Sequence, residues 1–137
     1  MIKKFLVLAV VTPIIFAMLA SCAQAPKPSP LSKEIKITSP KVDQLVTSPL
    51  VLTGEAIGQW YFEAVFGVSI VDQDNNELGR SFLEAQSDWM TPNFVPFKGE
   101  IKFTPGNAKS GKVIFANDNP SGEPSLQKTF EVPVRFQ

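Results

Sequence analysis

The chain of 137 residues contains no histidine and a single cysteine, Cys22. Without histidine it lacks the commonest general base, and with one thiol and no histidine it cannot assemble the usual zinc ligand sets. One cysteine forms no disulfide within the chain, so nothing covalent staples the fold. Basic and acidic residues balance at 13 each, and no basic cluster supplies the electrostatic footprint that nucleic acid requires. Helical periodicity is missing from residue 34 onward. The one long uncharged run, residues 5–20 (FLVLAVVTPIIFAMLA), would span about 24 Å as a helix, short of the ~30 Å of a hydrocarbon core. These absences remove the usual routes to an enzyme, a nucleic-acid binder and a helical membrane protein.

What is present begins with Lys3 and Lys4 ahead of that run, with Pro13 weakening it as a helix. A positive start followed by an apolar stretch is the pattern of a secretory signal peptide. Leu19-Ala20-Ser21-Cys22 resembles the bacterial lipobox, in which the cysteine is lipidated and exposed by cleavage. A lone thiol in an exported chain needs a use, and lipidation fits its position. The alternatives are a retained membrane helix and an ordinary signal peptide with a leftover thiol. The expected organisation is a signal peptide over 1–21, a lipidated Cys22 with a proline-rich tether over 22–33, and one domain over 34–137. With Lys3 and Lys4 removed, 11 basic residues face 13 acidic ones. Pro26, Pro28 and Pro30 favour extended polyproline II in the tether, which at about 3.1 Å per residue reaches roughly 34 Å.

From Glu34 the apolar residues alternate with period two, the mark of strands with one buried face. Ile35 and Ile37 open the pattern, which stops at Ser39-Pro40. Residues 49–57 follow, with Gly54 marking a bulge or a close approach. Residues 60–72 read as a central strand with Trp60, Phe62, Ala64, Phe66, Val68 and Ile70 on one face. Residues 78–86 form a weaker strand. Phe97, Gly99, Ile101 and Phe103 alternate with Lys98, Glu100 and Lys102, residues 113–116 are wholly apolar, and Phe130, Val132, Val134 and Phe136 close the series. Pro133 places its strand at an edge or its nitrogen outward. The expectation is an all-β, immunoglobulin-like antiparallel β-sandwich of about seven strands. Nine of the eleven phenylalanines lie after residue 21 and supply much of its core.

No catalytic or metal-binding constellation emerges, and no cofactor is expected. Asp72, Asp74, Asn75, Asn76 and Glu77 are dense in oxygen, but they lack the glycine and flanking helices of an EF-hand, and a turn built on Asx hydrogen bonds accounts for them. Glu55 and Glu63 read as surface residues. Residues 87–96 (SDWMTPNFVP) differ from everything around them. They hold two prolines, no alternation, and three large apolar side chains, Trp89, Met90 and Phe94. Long irregular loops carry binding disproportionately, so these three are the candidate binding residues. The competing reading is that Trp89 and Phe94 lid the open end of the sandwich.

Ile37-Thr38-Ser39-Pro40, the run Ser48-Pro49-Leu50-Val51-Leu52-Thr53-Gly54-Glu55-Ala56 and Trp60-Tyr61-Phe62-Glu63-Ala64 resemble the immunoglobulin-like domain associated with bacterial spore-germination proteins. Pro96-Phe97, residues 117–122 and Val132-Pro133-Val134 extend the resemblance to about Phe136. It implies an immunoglobulin-like sandwich and offers no catalytic residue. The expected role is a non-catalytic binding module, lipid-anchored through Cys22 on the extracytoplasmic face of a bacterial membrane and recognising an envelope protein or cell-wall polymer. A structural envelope or germination accessory without a specific ligand is the alternative.

Overall fold

The computed structural model describes residues 33–137, so the expected signal peptide, Cys22 and the rest of the tether before Lys33 lie outside the described residues. Eight strands run in chain order: β1 (Ile35–Ser39), β2 (Gln44–Val46), β3 (Leu50–Ile57), β4 (Val65–Asp72), β5 (Glu77–Ala85), β6 (Phe94–Ile101), β7 (Ser110–Ala116) and β8 (Thr129–Phe136). They form one curled sheet in the order β1-β3-β6-β5-β4-β7-β8-β2. One wall is β1, β3 and β6, and the other is β4, β7, β8 and β2. At the bend, β5 pairs with β4 from Val65↔Glu84 to Val71↔Glu77, but with β6 only at Glu84↔Lys98 and Ala85↔Phe97. The described residues contain no α-helix, only single 3₁₀ turns.

The all-β reading is borne out, with eight strands instead of about seven. The additional strand is β2, three residues paired parallel to Val134–Phe136 of β8. It is too short to show an alternation. The alternation read from β3, β6 and β8 is real: Leu50, Leu52 and Ala56, then Val95, Phe97 and Ile101, then Val132, Val134 and Phe136 all point inward and are buried. Gly54 is a close approach, because a Cβ there would stand 2.2 Å from Lys36 O. Pro133 O accepts from Asp43 N while Phe136 N donates to Lys109 O on the β7 side. The Pro133 nitrogen therefore lies away from β7, on the side where β2 joins β8, and leaves the β7–β8 ladder unbroken.

One expected strand needs correction. Residues 60–72 are not a single strand, since β4 begins at Val65. Trp60 ends a 3₁₀ turn, and Phe62 and Val65 exchange backbone hydrogen bonds across Glu63 and Ala64, whose φ angles are 50° and 65°. Two consecutive positive φ values make a two-residue hairpin turn, normally signalled by Gly or Asn. Neither occurs here, and the apolar period runs through the turn unbroken. Trp60, Phe66, Val68 and Ile70 are buried as expected, but Phe62 is 42% exposed.

Aromatic rings join the walls. Phe66 on β4 receives Trp60 and Tyr61 edge-on at 5.7 and 5.1 Å and meets Phe97 of β6 at 5.1 Å, and Phe97 in turn lies 6.0 Å from Phe115 of β7. A second pair, Phe103 and Phe136 at 5.6 Å, closes the other end. Such pairs add about 0.5–1.5 kcal/mol each beyond the area they bury. Phe66→Ala removes three ring contacts at once and is expected to cost about 3–5 kcal/mol, measured by urea unfolding. Phe66→Leu should retain most of that stability.

Candidate functional site

Three connections meet at one end of the sandwich: residues 58–64 between β3 and β4, 86–93 between β5 and β6, and 117–128 between β7 and β8. Hydrogen bonds stitch them together. Gly58 N donates to Asn93 O at 3.2 Å, and Asp118 N donates to Trp60 O at 2.9 Å. Glu34, at the entry to β1, links two of them. Its carboxylate accepts from Trp60 Nε1 at 3.2 Å and from Lys128 Nζ at 2.8 Å, and its carbonyl accepts from Ile57 N. Lys128 thus donates a charge-assisted hydrogen bond that holds the Glu34 carboxyl below its ordinary range, with Trp60 adding to the effect and partial burial opposing it.

The loop over 86–93 is built as a rigid turn. Asp88 Oδ1 accepts from Met90 N at 3.0 Å, Thr91 N donates to Trp89 O at 2.8 Å, and Thr91 Oγ1 accepts from Asn93 N at 3.2 Å. It lies directly on Gly58, where a Cβ would stand 1.9 Å from Thr91 O and 2.3 Å from Trp89 O. Only glycine permits that approach. Trp89 is half-buried and packs against the core. Met90 points outward and is 76% exposed. Between them and Gln59 and Tyr61 runs an open groove of about 410 Å³. The Tyr61 hydroxyl donates to Val95 O at 2.7 Å, and burial pushes its phenol well above the usual range.

Of the three candidate binding residues, the structure brings together Trp89 and Met90 and leaves Phe94 apart. Phe94 is the first residue of β6, opposite Ile57, with Lys36 Nζ 3.9 Å above its ring. The irregular segment therefore ends at Asn93. Sequence reasoning missed Gly58 and Gln59, and it named residues 117–122 only within the family resemblance, not as part of this site. Asn117 Oδ1 accepts from Lys128 N at 2.6 Å and from Gln127 Nε2 at 2.9 Å, a loop lock whose partners are ten or more residues apart and show no local pattern.

The carboxylates are engaged structurally. Glu55 pairs with Lys36 at 2.9 Å, and Glu63 occupies the hairpin turn. Asp72 Oδ1 accepts from Asp74 N and Asn76 N, and its Oδ2 from Asn76 Nδ2. The 72–77 segment is accordingly an Asx-stabilised turn, and the Asn76 side chain and backbone amides hold the Asp72 carboxyl below its ordinary range. Cys22 lies outside the described residues.

A family model for the immunoglobulin-like domain of bacterial spore germination matches residues 34–123. No curated protein and no solved structure matches the chain. The match spans β1 to β7 and stops short of β8, although β8 pairs with β7 at seven positions from Ser110↔Arg135 to Ala116↔Thr129.

Glu34 makes a pH-dependent contribution whose sign is set by its lowered folded-state value. The contribution is complete above the ordinary value of 4.5 and fades as the pH falls through the folded-state value. Glu34→Gln should therefore cost about 1–2 kcal/mol at neutral pH. The stability gap between the two proteins should hold constant above pH 4.5 and close below it, read from urea midpoints across a pH series.

Proposed function

The chain belongs to the immunoglobulin-like domain family of bacterial spore germination, and from that premise we propose that it is a non-catalytic binding module held at the extracytoplasmic face of a bacterial membrane by a lipid on Cys22. The observation that carries the binding role is Met90. A large, flexible, polarisable side chain stands 76% exposed on a loop that hydrogen bonds and Gly58 hold in place. Apolar side chains presented on rigid supports are the anchors of protein interfaces, so the partner is read as an envelope protein. Trp89 has a double part. Its packing on the core supports the lid reading for that side chain, while its free edge lines the groove beside Met90.

The lipid on Cys22 would place this site. The chain enters the fold at Glu34, which touches Trp60 and Lys128 at the loop end. A tether of 22–33 then holds the domain by the end that carries the groove, which faces the membrane across a span of up to roughly 34 Å. A lipid with two or more acyl chains gives stable attachment.

The test uses the full chain in its native membranes. Cys22→Ser should shift the protein from the membrane to the soluble fraction or leave it uncleaved, and a processed Cys22→Ser protein that stays in the membrane contradicts the anchor. Met90→Gln should leave the melting temperature within about 1 °C, since little area is buried, and should weaken co-purification with the partner by about tenfold or more. Undiminished co-purification with Met90→Gln contradicts the binding role.

A further inference from the structure

The curled sheet does not close on itself. β1 is bonded only to β3, and β8 meets β2 only over Val134–Phe136. Between these two edges runs a groove of about 270 Å³, lined by Ile35, Ile37, Pro40 and Val42 on one side and by Phe130 and Val132 of β8 on the other. Ile35 and Val132 are buried at its floor, while Val42 is 62% exposed. The Glu34–Lys128 ion pair crosses the seam at the loop end, and β2 closes it at the opposite end.

Hydrogen bonding along β8 alternates between its two sides. Lys128 O accepts from Asn117 N, and Phe136 N donates to Lys109 O. With an unbroken register between those points, Phe130, Val132 and Val134 bond to β7. The backbone groups of Thr129, Glu131 and Pro133 therefore turn to the other side, toward the seam. Pro133 has no N–H, and its carbonyl accepts from Asp43 N at 2.8 Å beside β2. Thr129 and Glu131 have no backbone partner on that side among the described residues. An unpaired edge of this kind is a template for another strand, and here it borders an apolar groove.

We infer that an extended segment of a partner protein adds to β8 here, in line with β2, and pairs with Thr129 and Glu131. β2 shows that the same edge accepts a strand along its other half. The unpaired backbone groups select an extended peptide over a lipid or a sugar. The lining selects apolar side chains at every second position, the usual division of labour when a strand is added to a sheet. Charge selects one end of the segment. Lys41 lines the groove beside β2 and joins no ion pair among the described residues, whereas Lys36 is engaged by Glu55. An antiparallel segment, the more stable pairing, brings its N-terminal end to Lys41, where an acidic residue completes the match. This edge shares no residue with the Met90 groove, so the inference goes beyond the loop-end site and stands apart from it.

The test is amide hydrogen exchange of the full chain, read residue by residue by NMR, with and without the hexapeptide acetyl-Asp-Val-Thr-Val-Thr-Val-amide. Without peptide, the amides of Thr129 and Glu131 should exchange fast and those of Phe130 and Val132 slowly. Peptide should slow Thr129 and Glu131 saturably, with half-effect at or below about 1 mM, the scale of a weak complex. Thr129→Pro and Glu131→Pro each remove one outward N–H and spare the β7 ladder, as Pro133 already does. Each should weaken binding by about tenfold relative to Thr129→Ala or Glu131→Ala. The alanine variants lose the same side chains, so equal melting temperatures within each pair separate lost binding from lost folding. Lys41→Glu should weaken this peptide and strengthen one that begins with lysine. No slowing at about 1 mM peptide overturns the inference, as does binding that the proline variants retain. Protection of Thr129 and Glu131 in the chain alone also overturns it. Protection lost on dilution then assigns the edge to a second copy, and protection lost on deleting residues 23–32 assigns it to the chain's own N-terminal segment.

Discussion

The edge-to-face contact of Phe66 with Phe97 is the constraint on which the rest of this structure depends. A curled sheet of eight strands must hold its two walls together, and the described part of the chain contains no cysteine with which to staple them. Phe66 stands on β4 and Phe97 on β6, so their 5.1 Å contact crosses the interior from wall to wall. Phe115 extends the column at one side, and Trp60 and Tyr61 extend it at the other. The column also reaches the loops. Trp60 donates to Glu34, which binds Lys128, and Trp60 O accepts from Asp118 N. The loop end is therefore fixed through the same aromatic packing that closes the sandwich.

Much of this was legible in the sequence, and the reasons for success and failure are specific. Strands with one buried face write a period of two, and β3, β6 and β8 were readable from it. The segment from Trp60 to Ala64 was misread because its turn uses Glu63 and Ala64 at positive φ, residue types that carry no turn signal, while Trp60 and Phe62 keep the apolar period. Three residues are too few for any period, so β2 was invisible. At the candidate site the irregular loop stood out by its prolines and lost alternation, and Trp89 and Met90 do line one groove. The loop's seat on Gly58 was not readable, because it rests on a tertiary approach between residues thirty or more positions apart. Phe94 went to β6 because the ladder with β3 extends to Ile57↔Phe94 and recruits it.

Two surfaces of different character result. The loop end is hydrogen-bonded, with Met90 more exposed than its other large apolar side chains Phe62 and Leu126, and the chain enters the fold beside it at Glu34. On the outer face of β4, β5 and β7, Phe82 projects between Arg80 and Glu84 beside a small hollow at Gly67. Each surface carries a glycine, Gly58 beneath the loop and Gly67 beside Phe82, but in opposite settings. A Cβ at Gly58 would collide with the loop backbone, whereas one at Gly67 would enter open space. The first glycine is required by the fold, whereas no neighbour within the fold requires the second.

The wall-to-wall column is tested most directly by a double-mutant cycle on Phe66→Leu and Phe97→Leu, with stability taken from urea unfolding of both single variants and the double variant. Leucine keeps the burial and removes the ring, so the cycle isolates the aromatic contact. A coupling of about 0.5–1.5 kcal/mol between the two positions is the predicted result. Additive effects, with no coupling beyond the error of the measurement, would contradict the claim that this ring contact holds the two walls together.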